Sequence, residues 1–165
     1  MGPAGPAGPA GPPGPAAPVC PFGSLVVNGD FAAGLAGWDV TTNVGIEEDN
    51  VHSVPFAAQL GIAPTTNDPA VLAQTIEGLD PDCWYYFDFH IGGSSNQFVT
   101  AAVLFDATVV SSVTIPAVTR SPYSYYRLVV PCPPEGADVT VEFTKPGTGI
   151  ILVDDVALRA AGPCP

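Results

Sequence analysis

The sequence predicts an all-β protein, an antiparallel β-sandwich of the jelly-roll type with eight to ten short strands behind a proline-rich tail. Three observations carry that prediction. Short apolar runs rich in Val, Ile, Thr, Tyr and Phe recur about every 8–12 residues between Gly, Pro, Asn and Asp, and no helix is needed to account for them. Residues 83–91 separate by parity, with Tyr85, Phe87, Phe89 and Ile91 on one face and Trp84, Tyr86, Asp88 and His90 on the other. Residues 123–132 divide the same way, Tyr126, Leu128 and Val130 against Tyr123, Tyr125 and Arg127.

These two runs fix each other's register. Laid antiparallel with Cys83 opposite Cys132, Phe87 meets Leu128, Phe89 meets Tyr126, Asp88 meets Arg127 and His90 meets Tyr125. Apolar then lies beside apolar on one face, while the other carries an ion pair and an imidazole–ring pair. A slip of one residue destroys both matches.

In chain order, Gly2, Gly5, Gly8, Gly11 and Gly14 head five consecutive Gly-Pro-X triplets. That strict period is the signature of a collagen-like segment, because only Gly fits the axis of three wound polyproline-type chains. Residues 1–16 form this segment and imply a homotrimer wound through it; at roughly 45 Å it is short, and a stiff monomeric polyproline linker is the alternative. Residues 17–23 are a Pro-rich connector and 24–159 the sandwich. Residues 25–27 begin the folded part, and the turns at Asn28-Gly29 and Gly34 to Gly37 set Phe31 and Trp38 as core anchors. Short strands are expected at 44–47, 57–62 and 71–76, and a turn at 78–82 leads into the 83–91 strand. Gly92 to Asn96 reads as a flexible loop, 98–105 and 109–115 as a hairpin, 139–143 as a half-exposed strand and 150–158 as the last strand. Residues 160–165 remain as a tail carrying Cys164.

Sixteen acidic residues against four basic ones give a net charge of −12, which disfavours nucleic acid and anionic membrane surfaces as partners. No run approaches the roughly 20 apolar residues of a membrane span, and no signal peptide is visible, Met1 running straight into the triplets. None of the four cysteines has Cys-x-x-Cys spacing, so two disulfides are expected, with four reduced thiols as the alternative. Of three connectivities, Cys83–Cys132 follows from the register and Cys20–Cys164 from their flanking positions. Disulfides imply an oxidising, extracellular setting.

The segment 25–31, the Gly-Leu-x-Gly-Trp at 34–38, the run from Val71 to Leu79 and the closing Ile151-Leu-Val-Asp-Asp-Val-x-Leu resemble the galactose-binding-like jelly rolls, which include many bacterial carbohydrate-binding modules. With the Gly-Pro-Ala triplets, the combination looks most like the jelly-roll domain that adjoins collagen-like repeats in Firmicutes surface and spore-associated proteins. The resemblance covers nearly all of 24–159 and implies a structural calcium held by Asp30, Asp155 and carbonyls around residues 47–50. One departure counts against it: the position after Phe31, usually acidic in that pattern, is Ala32. The alternative is that Asp154 and Asp155 cap an edge strand and bond loop amides.

Trp84, Tyr86, Asp88, His90, Tyr125 and Arg127 place rings beside hydrogen-bonding groups on one sheet face, the combination a carbohydrate site requires. Such a face also suits solvent or the packing of subunits in a trimer. Catalysis has little support: the two histidines, His52 and His90, have no motif-linked nucleophile, and His52 reads as a hydrogen-bonded surface residue. The expected function is a non-enzymatic structural or adhesive head on a collagen-like stalk, on a cell or spore surface. A carbohydrate-binding module with a glycan partner is the alternative.

Overall fold

A computed structural model of the chain describes residues 2, 5, 11, 19–61, 68–94, 98–116 and 122–165. Apart from Gly2, Gly5 and Gly11, the expected collagen-like segment therefore lies outside the described residues. Among the described residues there are ten strands: β1 (Asp39–Val40), β2 (Val44–Glu47), β3 (Ala57–Leu60), β4 (Ala70–Ile76), β5 (Cys83–Ser94), β6 (Val99–Phe105), β7 (Thr108–Ile115), β8 (Ser124–Val130), β9 (Val139–Lys145) and β10 (Ile150–Pro163). They form two five-stranded antiparallel sheets, β1-β4-β9-β6-β7 and β2-β3-β10-β5-β8. Among the described residues no helix is long and apolar enough to cross a membrane.

Alternation builds the core. In β9 every other residue is buried from Val139 through Val141 and Phe143, and in β5 Tyr85, Phe87, Phe89 and Ile91 are 0–1% exposed. Phe143 of one sheet meets Phe87 and Phe89 of the other at 5.6 and 5.0 Å between ring centroids. Such edge and tilted contacts add to the area removed from water. The Tyr85 hydroxyl accepts from Asp80 N and donates to Asp80 O, so the turn leading into β5 is tied to a core ring.

The β5–β8 register is the one the parity argument demands: Phe87 opposite Leu128, Asp88 opposite Arg127, Phe89 opposite Tyr126 and His90 opposite Tyr125. Two strand ends differ by three residues or more. Gly92 to Ser94, read as loop, pair with Ile150 to Leu152 because β10 supplies the ladder partners. β10 also continues beyond Leu158, so that Gly162 pairs with Trp84 and Pro163 with Cys83, shortening the expected C-terminal tail.

That extension corrects the disulfide pairing. The bonds are Cys20–Cys83 and Cys132–Cys164, not Cys83–Cys132 and Cys20–Cys164. The β5–β8 ladder ends at Tyr85–Val130, short of both cysteines, and Pro131 has no N–H to continue it. Past Pro163, Cys164 donates its N–H to Asp82 O and crosses the start of β5 to reach Cys132. Buried Cys83 is left to Cys20, which packs against the core from the N-terminal connector.

β3 pairs with β10 only at Ile151 to Val153. Below it the N-terminal segment takes the vacated edge, with Leu25 N donating to Leu158 O and Val156 N to Gly29 O. At Gly29 a Cβ would stand 1.9 Å from Val156 O, so only glycine permits this approach. Gly29→Ala is expected to cost about 1–3 kcal/mol in a urea unfolding series; an unchanged midpoint would mean the segment does not dock there.

Candidate functional site

The outer faces of the two sheets differ. On the β1-β4-β9-β6-β7 sheet, hydroxyl pairs such as Thr75–Thr140 and Thr100–Thr114 face outward. The other sheet carries rings and charges, and all six residues named from the sequence lie there, on β5 and β8.

Asp88 is the hub. Its side chain is 4% exposed, and it accepts from Tyr125 Oη at 2.6 Å, Arg127 Nε at 2.6 Å, Arg127 Nη2 at 3.1 Å and Arg159 Nη1 at 3.1 Å. Burial opposes its ionisation, but the hydrogen bonds from Arg127 and Tyr125 and the charges of Arg127 and Arg159 outweigh burial and hold the carboxyl below its ordinary range. Asp88 is thus spent on positioning, not free to bind. The groups it positions are about half exposed, Arg127 and Arg159 at 46% and 53% and Tyr125 at 51%. The Arg127 guanidinium also lies 4.1 Å over the Tyr86 ring.

Trp84 meets Tyr86 edge-on at 4.9 Å. Opposite it, Gly162 has no side chain, and a Cβ there would crowd the indole nitrogen at 3.3 Å. Beside Trp84 lies an apolar cavity of about 490 Å³ bounded by Val129, Pro131, Cys132, Pro163 and Pro165. A second cavity, about 470 Å³ and polar, opens between residues 24–30 and the sheet, with Asp88, His90, Tyr125, Asp155 and Arg159 in its wall. Tyr86 and Arg127 come between the two along the strands. From Trp84 to His90 the face spans about 20 Å.

At the far end His90 stacks on His52, ring centroids 3.8 Å apart, and contacts Tyr125 at 5.3 Å. His52 comes from the β2–β3 loop. Its Nδ1 lies 2.5 Å from Asp155 Oδ2, while its backbone N–H and the N–H and hydroxyl of Ser53 go to Asp154. Burial, then the neighbouring His52, pushes His90 below the ordinary imidazole value despite the carboxylates of Asp155, Asp154 and Asp88. Burial likewise raises the Tyr123 phenol, which donates to Asn50 O. His52, Tyr123 and Arg159 join the six site residues named from the sequence; Tyr123 had the best signal, sharing the parity of Tyr125 and Arg127.

Calcium takes oxygen ligands alone, and the surroundings of the two carboxylates expected to hold it are mixed. Asp30 and Asp155 do wall the same cavity. However, Asp155 faces imidazole nitrogen, Asp30 accepts from Ala32 N, and both Asp154 oxygens are occupied by N–H and O–H donors, as in the loop-amide alternative but within a central strand.

No family model matches the sequence, and no curated protein matches it. Solved structures share the fold. TmCBM61 in complex with beta-1,4-galactotriose has a TM-score of 0.67 at 17% identity, over 83% of this chain and 98% of that one. A family 16 carbohydrate-binding module gives 0.62 at 18%, over 81% and 98%. The enzymatically active domain of bacteriophage CBA120 tailspike protein 4 gives 0.65 at 20%, over 83% of this chain but only 21% of that one. The chain therefore has the jelly-roll fold of carbohydrate-binding modules, and its two disulfides fit an extracellular domain.

Proposed function

We propose that this domain is a non-enzymatic carbohydrate-binding module that holds an extended glycan along the outer face of β5 and β8. The observation that carries the reading is the placement of Trp84, Tyr86 and Tyr125 on one sheet face with two half-exposed guanidiniums beside them. Rings stack on the C–H faces of sugars, and Arg127, Arg159 and the Tyr125 hydroxyl hydrogen-bond hydroxyls from groups already held by Asp88. A face of about 20 Å accommodates several pyranose units. Preorganisation by the buried carboxylate reduces the ordering cost of binding.

The similar structures guide the ligand choice, since one holds a beta-1,4-galactotriose. Affinity electrophoresis against soluble galactan, xylan and a wider glycan panel is the test. Trp84→Ala and Tyr125→Ala are each expected to weaken retention at least about tenfold, near 1.4 kcal/mol, with the fold intact by circular dichroism. Absence of retention on every glycan, or retention unchanged in both variants, would sink the reading.

The five Gly-Pro-X triplets support a second role, compatible with the first: a head beside a collagen-like stalk on a cell or spore surface, where a homotrimer would add avidity. Light scattering on the whole chain and on one beginning at Val19 distinguishes the cases. A trimer in the whole chain supports the stalk, and a monomer in both removes it.

A further inference from the structure

We propose that His52, His90 and Asp155 form a binding site for a divalent transition-metal ion of the zinc type. Their ligand atoms, two imidazole nitrogens and a carboxylate oxygen, all lie within 4.8 Å of one another. His52 Nδ1 stands 2.5 Å and His90 Nδ1 3.9 Å from the same oxygen, Asp155 Oδ2.

An independent observation points to a ligand at this site. His90 Nδ1 is buried and among the described residues has no hydrogen-bond partner, although it lies 3.9 Å from a carboxylate oxygen. A buried polar atom without a partner costs free energy, and a coordinate bond from its lone pair would remove that cost. Asp155 Oδ2 lies within hydrogen-bonding distance of the His52 ring but 3.9 Å from His90 Nδ1, so the carboxylate as placed does not satisfy both rings. One cation between them does.

The backbone is arranged to converge these three groups. β10 carries a bulge at this point, its register against β5 jumping between Asp154–His90 and Ala157–Asp88. Val153 and Val156 both remain in the core, so the extra residue leaves Asp154 and Asp155 together off it. Asp155 has φ of +50°, a left-handed conformation unfavourable for a non-glycine residue. Bulges of this kind re-aim side chains. The first carboxylate, Asp154, accepts the backbone N–H groups of His52 and Ser53 and the Ser53 hydroxyl, fixing the loop that supplies the first imidazole. The second is thereby presented to both rings.

Donor chemistry selects the ion. Two imidazoles and one carboxylate suit zinc and its first-row neighbours, whereas calcium and magnesium prefer oxygen alone. Three protein ligands leave a tetrahedral ion one further position, and the partial exposure of His52 and Asp155 leaves that position accessible to water.

The rest of the chain makes the test unusually clean. His52 and His90 are the only histidines, and among the described residues no cysteine is free. The full chain, produced without a histidine tag and treated with chelator, would be titrated with Zn²⁺ by calorimetry and with Co²⁺ by visible absorption. Expected is one ion per chain, a Co²⁺ d–d band displaced by Zn²⁺ but not by equimolar Ca²⁺, and a raised melting temperature. His52→Ala and His90→Gln, checked for folding by circular dichroism, should each weaken binding more than about tenfold. The inference is overturned if neither ion binds the native chain up to millimolar concentration, if Ca²⁺ displaces the ion, or if binding survives unchanged in both folded variants. Glycan retention enters none of these readouts, so the failure of either proposal leaves the other standing.

Discussion

Replacing Cys20 with Ala is expected to lower the unfolding free energy by about 3–4 kcal/mol. The Cys20–Cys83 bond closes a loop of 63 residues, against 32 for Cys132–Cys164. Loop-closure entropy depends on the logarithm of length, so the two bonds differ by only about half a kcal/mol in the constraint they place on the unfolded chain. Their structural consequences differ more. Cys83 is fully buried at the first residue of β5, and its bond anchors the connector immediately before the segment that docks on β10 and walls the polar cavity. Loss of the bond therefore loosens residues 20–30 as well as stabilising the unfolded state, and the remaining thiol is too buried to react while the domain is folded. Guanidinium unfolding followed by Trp fluorescence would measure the loss, and peptide mapping without reductant should recover Cys20 joined to Cys83. A midpoint equal to that of the native chain, or a peptide joining Cys20 to Cys164, would contradict the connectivity.

Why that connectivity escaped the sequence is a matter of signal strength. The pairing of β5 with β8 is legible because both runs are long, aromatic and strictly alternating, so one register satisfies both faces. Ala160, Ala161, Gly162 and Pro163 have low β-propensity and no alternation. They extend β10 only because β5 offers an unpaired edge at Trp84 and Cys83, a tertiary cause without a local signature. The site shows the same division. Trp84, Tyr86, Tyr125 and Arg127 could be placed on one face from parity alone. His52 could not, because it sits in a polar loop 103 residues from Asp155. The bulge that turns Asp155 toward it is written in Val-Asp-Asp-Val without any residue that announces a break.

Asp88→Ala is expected to destabilise the domain by about 2–3 kcal/mol. Four hydrogen bonds converge on this carboxylate, three of them from guanidiniums. Removing it does not strand fully buried charges, because Arg127 and Arg159 are about half exposed and water rehydrates them. That keeps the loss below the 3–5 kcal/mol typical of a wholly buried pair. The pH dependence follows from the depressed carboxyl pKa. A carboxyl that binds its proton less readily folded than unfolded contributes its full stability above the unfolded value, near 4. It loses that contribution as pH falls through the lower folded value. The gap between the native chain and Asp88→Ala should therefore stay level from pH 7 to about pH 5 and narrow below about pH 4. Urea unfolding of both proteins across this range is the measurement. A gap that widens on acidification would mean that the protonated carboxyl is the favoured folded form and that Arg127 and Arg159 do not engage it. The same variant separates stability from function, because the core face of β5 is untouched. If glycan retention falls more than tenfold while the domain remains folded at pH 7, Asp88 acts by aligning Tyr125, Arg127 and Arg159 for the ligand; if retention is unchanged, the carboxylate serves the sheet alone.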